Sequence, residues 1–62
     1  MSWEMYEVWA VDLNGHETLI DTTKDIKRAR LMARESLDEI NIECIIYKET
    51  EDGELELVER LP

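Results

Sequence analysis

Few residues in this chain are equipped for chemistry, and they are scattered. His16 is the only histidine and Cys44 the only cysteine. His16 follows Asn14-Gly15, and a lone histidine beside a tight turn is ordinarily a solvated side chain, with no base or acid in sequence to work with it. Cys44 lies inside the apolar run Ile42-Glu43-Cys44-Ile45-Ile46, where a thiol packs and stays inert. Neither Ser2 nor Ser36 stands on a nucleophile elbow. A structural zinc site takes several Cys or His ligands, and one of each is too few. Gly15 and Gly53 are the only glycines. Each is used in a turn, which leaves none for a phosphate-cradling loop. The expectation is a protein without catalytic, metal or cofactor-binding residues, hence not an enzyme.

Two charged groups stand out instead. Glu49, Glu51, Asp52, Glu54 and Glu56 crowd one stretch without the spacing of a calcium loop. They read either as a solvated hairpin that resists strand-to-strand pairing, or as carboxylates that imitate phosphates before a protein that normally grips nucleic acid. Lys24, Lys27, Arg28, Arg30 and Arg34 form the second group. At helical spacing Lys27, Arg30 and Arg34 fall along one flank. They can pair with acids, Arg34 with Asp38 and Arg28 with a strand carboxylate. Alternatively Lys24, Lys27, Arg30 and Arg34 form a cationic helix face that contacts nucleic acid. The net charge of −9 works against that reading, because phosphate affinity depends on cationic neutralisation.

The elements that must position these groups follow from pattern. Residues 5–13 are rich in aromatic and β-branched types and predict a strand. Asn14-Gly15 predicts a two-residue hairpin turn, and 16–21 the returning strand. That register opposes Val11 to Thr18, Ala10 to Leu19 and Trp9 to Ile20. One face then carries Tyr6, Val8, Ala10 and Leu19, and the other Trp9, Val11, Thr18 and Ile20. Thr22 with Asp25 reads as a helix N-cap and capping box. Ile26, Ala29, Ala33, Leu37 and Ile40 then form one helical stripe, with the helix ending near Glu39. Residues 42–49 and 54–60 predict a second hairpin around Glu51-Asp52-Gly53. A three-residue loop pairs Tyr47 with Leu57, Ile46 with Val58 and Lys48 with Glu56. The two hairpins are alike in plan but not in residues. The whole, residues 1–62, is one α+β domain of ββαββ type: a four-stranded antiparallel sheet with one helix on one face.

Such a sheet normally alternates apolar-in and polar-out. Here both faces carry large apolar groups, and one helix covers only one face. The leftover residues predict an interface, with Trp9, Val11, Ile20 and Tyr47 as its apolar contacts. The competing explanation is a segment around Trp3 folded over the patch. A domain of this size buries only about 60% of the surface of its unfolded chain, and a single cysteine rules out an internal disulfide. Self-association is the remaining source of stability. No run approaches membrane-span length, the start lacks the features of a secretory signal, and a lone thiol suits a reducing cytoplasm.

Tyr6-Glu7-Val8-Trp9-Ala10-Val11-Asp12 with Asn14-Gly15, Asp21-Thr22-Thr23-Lys24, and Tyr47-Lys48-Glu49 with Glu51-Asp52-Gly53-Glu54-Leu55 give the chain a look of its own. In these segments it resembles small uncharacterised proteins of phages and prophages of Gram-positive bacteria. The resemblance implies an accessory protein that binds a host protein, in some cases to block a defence system. It assigns no functional residue. The expectation is therefore a small acidic accessory protein acting by protein–protein binding. Its partners are itself, as a homodimer, and an unknown protein, such as a host defence or nucleic-acid-handling protein that it inhibits. Nucleic-acid binding through the basic helix is the alternative.

Overall fold

The computed structural model describes residues 4–62; the proposed cover around Trp3 falls outside them. In chain order the elements are β1 (Met5–Asp12), β2 (Glu17–Thr23), α1 (Ile26–Ser36), β3 (Asn41–Glu49) and β4 (Leu55–Leu61). The strands form one antiparallel sheet in the order β2-β1-β3-β4. Helix α1 packs on one face, over β1 and β3 and against β2. This is the expected α+β, ββαββ architecture.

The core lies between the helix and the two central strands. Val8 opposes Ile46 and Ala10 opposes Cys44, and all four are buried beneath Ala29 and Ala33. Alanine at both helix positions lets the helix backbone approach the sheet. Cys44 Sγ donates to the Ala33 carbonyl oxygen at 3.2 Å. Tyr6, Ile26, Met32, Leu37 and Leu61 close the rim. Fully burying Val8 and Ile46 is worth roughly 1.5–3 kcal/mol each.

The first hairpin departs from the expected two-residue turn. Asp12 N donates to the His16 carbonyl at 3.0 Å and Gly15 N to the Asp12 carbonyl at 3.0 Å, so the loop is Leu13-Asn14-Gly15. The cause is Asp12, whose Oδ1 accepts from Asn14 N at 2.8 Å and His16 N at 3.0 Å. The carboxylate starts the turn before Leu13 can pair, and Gly15 closes it at φ +82, in the left-handed region that glycine tolerates best. Register shifts by one. Val11 opposes Glu17, Ala10 opposes Thr18 and Trp9 opposes Leu19. Leu19 therefore joins Trp9's face and Thr18 joins Ala10's. Ile20 becomes the extra residue of a bulge between Leu19 and Asp21 and opposes nothing in β1.

The second hairpin has the expected three-residue loop, Glu51-Asp52-Gly53. Thr50 N donates to the Glu54 carbonyl at 2.8 Å and Gly53 N to the Thr50 carbonyl at 3.0 Å. Tyr47 opposes Leu57 and Lys48 opposes Glu56 as expected. Ile46 opposes Glu59 rather than Val58, because Val58 is itself a bulge residue.

The helix is shorter than its apolar stripe. Asp25, not Thr22, is the N-cap; its side chain accepts from Lys27 N at 2.9 Å. Thr23 Oγ1 accepts from Asp25 N at 3.2 Å. At the other end Leu37 turns to ψ 130. Asp38 Oδ1 then accepts from Ile40 N and Asn41 N at 2.7 Å each. The chain has left the helix before Ile40, which stands 65% exposed instead of completing the stripe.

The two hairpins are related by a quasi-two-fold axis normal to the sheet. The offset that carries Gly15 to Gly53 also carries one set of strand pairs onto the other. Trp9–Leu19 maps on Tyr47–Leu57, Val8–Asp21 on Ile46–Glu59, and bulge Ile20 on bulge Val58. The axis passes through the opposed pair Val8 and Ile46. Residue classes follow the operation at several positions: aromatic at 9 and 47, Asn or Asp at 14 and 52, leucine at 19 and 57, acid at 21 and 59.

Candidate protein-binding face

With Val8, Ala10, Cys44 and Ile46 turned to the helix, strand alternation turns Trp9, Val11, Ile45 and Tyr47 to the opposite face. Cross-strand pairing adds Leu19 beside Trp9 and Leu57 beside Tyr47. No described element covers this side. Leu19 is 45% exposed and Leu57 54% exposed. Trp9, Val11 and Tyr47 are half-buried among their neighbours, and Ile45 is buried.

Carboxylates border the apolar stripe. Val11 is opposed by Glu17 on one side and Glu43 on the other, and Glu7 lies between Thr22 and Tyr47. Glu49 opposes Met5 and Leu55. Trp9 Nε1 donates to Glu7 Oε1 at 3.0 Å, which holds the indole along the sheet. Among the described residues the one base on this face is Arg60, opposite Ile45, with Nη1 at 3.5 Å from Glu43 Oε1. A cleft of about 250 Å³ opens where these groups meet. Val11, Ile45 and Tyr47 line it together with Glu17, Glu43 and Arg60, and Gly15 of the first turn forms its end.

The anticipated apolar contacts are thus partly assembled. Trp9, Val11 and Tyr47 share the open face, while Ile20 sits in the β2 bulge at the sheet's edge, 38% exposed. The anticipated acidic surface is not one surface. Glu49 belongs to the open face and Glu56 to the helix side, opposite Lys48. Glu51 and Asp52 form the loop, and Glu54 receives its closing hydrogen bond. Sequence reasoning missed Glu7, Glu17 and Glu43 as members of the face. They are distant along the chain, and the signal was their alternation with Trp9, Val11 and Ile45.

On the opposite side Arg30 Nε pairs with Glu59 Oε1 at 3.3 Å, and Lys48 Nζ with Glu4 Oε1 at 3.3 Å. Neither the possible Arg34–Asp38 pair nor a pairing of Arg28 with a strand carboxylate occurs among the described residues. Among the described residues Lys24, Lys27, Arg28 and Arg34 make no ion pair and are exposed. No cluster of metal-ligating side chains occurs among the described residues. His16 Nδ1 lies 3.6 Å from Asp12 Oδ2, a turn contact on a largely exposed ring. Burial raises the Cys44 thiol above its ordinary pKa, with Asp38 and Glu43 adding to the effect. A nucleophile needs the reverse.

No described helix is long and apolar enough to cross a membrane. Comparison with protein-family models, with curated proteins and with solved structures found no match.

Proposed function

We propose that this protein is a non-enzymatic accessory protein that acts by docking the open face of its sheet against another protein. One observation carries the reading: Leu19, Trp9, Ile45, Tyr47 and Leu57 form a continuous apolar stripe on the side the helix does not cover. Exposed stripes of this kind, rimmed by polar groups, mark protein–protein sites. An aromatic pair beside leucines is the composition of an interface centre. The acidic rim suits a host protein with a basic surface, as nucleic-acid-handling proteins have, and blocking such a surface would make the chain an inhibitor. The cytoplasm is the compartment in which we place it, because its single thiol needs no oxidising environment.

A second copy is the competing occupant. A two-fold homodimer through the open face would bring Glu7, Glu17, Glu43 and Glu49 of both copies to one interface, with only Arg60 of each to offset them. Like-charge juxtaposition of this kind costs affinity. Sedimentation velocity across a dilution series separates the cases: an unlike partner leaves the isolated protein monomeric, whereas a homodimer sediments as one until diluted.

The docking reading is tested by affinity capture from a cytoplasmic extract with matched variants. Trp9→Ser and Leu57→Glu should abolish capture of the partner, and the helix-surface control Leu31→Glu should retain it. Equal capture by all three would overturn the proposal. The second reading, nucleic-acid contact, draws on the unpaired Lys24, Lys27, Arg28 and Arg34. A gel shift at low salt that disappears with Arg30→Ala/Arg34→Ala would support it, and no shift would remove it.

A further inference from the structure

We infer that the open face recognises an arginine-bearing segment of its partner, whose guanidinium seats in the cleft between Glu17 and Glu43. The inference rests on the docking reading above and specifies the partner's chemistry.

Three features of the cleft converge on a cation. Its apolar part is supplied by Val11 and Ile45, with Tyr47 beside them, within a mostly polar lining. Such a part receives the methylene stem of a long side chain, and an aromatic neighbour favours a cationic head. Its rim carries Glu17 and Glu43, which flank Val11 on opposite strands. The third feature is a resident guanidinium. Arg60 lines the same cleft and reaches Glu43 at 3.5 Å. The pair is long and its arginine is 60% exposed, so it is weak and displaceable. Glu17 makes no ion pair among the described residues. The cleft is therefore shaped for this chemistry and only half neutralised.

The wider field agrees. Across the open face Glu7, Glu17, Glu43 and Glu49 are opposed by Arg60 alone, on a molecule of net charge −9. That potential draws in a basic segment and repels an acidic one. The quasi-two-fold supplies an internal contrast. At the related end of the face Val11 is replaced by Glu49, Glu17 by Leu55, Ile45 by Glu7 and Arg60 by Thr22. The apolar part between two rim acids exists at one end only, so binding should be one-sided despite the symmetric backbone.

The probe is the peptide acetyl-Arg-Val-Arg-Val-Arg-amide, titrated at low ionic strength into the 15N-labelled protein, with acetyl-Glu-Val-Glu-Val-Glu-amide as control. The arginine peptide should give saturable amide shifts at Val11, Gly15, Ile45 and Tyr47, and the glutamate peptide none. Glu17→Gln/Glu43→Gln should raise Kd roughly tenfold, as expected from losing two partly exposed charge contacts. Arg60→Ala should lower Kd by a few-fold, because the resident competitor is gone. Spectra of the variants outside the face report that the fold is intact. Absence of saturable shifts, shifts confined to the Glu51–Glu54 loop, or an unchanged Kd in the double glutamine variant would each overturn the inference. If the peptide fails while partner capture still depends on Trp9 and Leu57, the cation site is wrong and face docking stands. If capture is also indifferent to those residues, both fall.

Discussion

Four side chains hold this small domain together in ways that substitution can read. Ile46 is fully buried against Val8 and the helix. Truncation to alanine costs about 2–5 kcal/mol, and a core of this size supplies only ~3–5 kcal/mol. Ile46→Ala should leave a mostly unfolded chain by far-UV circular dichroism at room temperature. Cys44 donates to the Ala33 carbonyl and its thiol is held above the ordinary range by burial. Alkylation by iodoacetamide should be slow in the native state and fast only in denaturant. Asp38 and Asp12 accept backbone N–H donors, from Asn41 and Ile40 in one case and from His16 and Asn14 in the other, and these hold both carboxyls below their usual pKa of 3.8. For a depressed carboxyl, the stabilisation is complete above the unfolded pKa and drains away as pH falls through the folded one. Thermal midpoints should decline on acidification below about pH 4. Asp38→Asn should flatten that decline, and an NMR titration should place both carboxyls below a free aspartate.

Turns and caps set the outcome at the level of elements. Gly15 and Gly53 have φ of +82 and +84, and a Cβ at either would meet nothing within 4 Å. Alanine there costs only backbone strain, on the order of 1 kcal/mol, and asparagine should cost less. Denaturant melts of the four single variants check both statements. A uniform cost for alanine and asparagine would mean that contacts, not φ, decide. The cap at Asp25 is worth about 1 kcal/mol on replacement by alanine, and Thr22→Ala should cost little, since Thr22 does not cap. These are also the places where sequence reading succeeded and failed. The apolar runs of β1 and β3 and the stripe Ile26, Ala29, Ala33 were legible, because burial imposes a period of two or of 3.6 residues. The start of the first loop was not, because Asn14-Gly15 is an equally good two-residue turn until Asp12 captures two amides. The helix end was hidden in the same way. Leu37 and Ile40 continue the stripe by spacing, but Asp38 takes the amides of Ile40 and Asn41 and ends it. Bulges at Ile20 and Val58 leave no mark in composition. The longer first loop shifts the register by one between the turn and the Ile20 bulge, and that is why Leu19 rather than Ile20 lies beside Trp9 on the open face. The related spacing of Trp9, Asn14-Gly15 and Leu19 with Tyr47, Asp52-Gly53 and Leu57 was the available signal for the second hairpin's likeness to the first.

Charge organises the whole molecule. Residues 24–34 carry five bases against one acid, while the rest is strongly acidic. The helix is thus locally basic, while the open face carries Glu7, Glu17, Glu43 and Glu49 against Arg60. Screening should raise stability as salt is added, because self-repulsion at net charge −9 opposes compaction. Association through the open face should weaken under the same change. Opposite salt dependences for folding and binding, measured by thermal melts and by peptide titration, separate the two effects.

The twin bulges have one further consequence. Ile20 interrupts β2 and Val58 interrupts β4, the two outermost strands. Each outer margin thus presents a broken ladder of amides and carbonyls, a form that discourages lateral extension into fibrils. A polypeptide with so many leucines on view can stay dispersed because its margins refuse recruits, which leaves the broad flat side as the place where company is accepted. Deleting Val58 would straighten one margin, and thioflavin-positive fibres growing faster from that variant than from the parent would show that the kink was the safeguard.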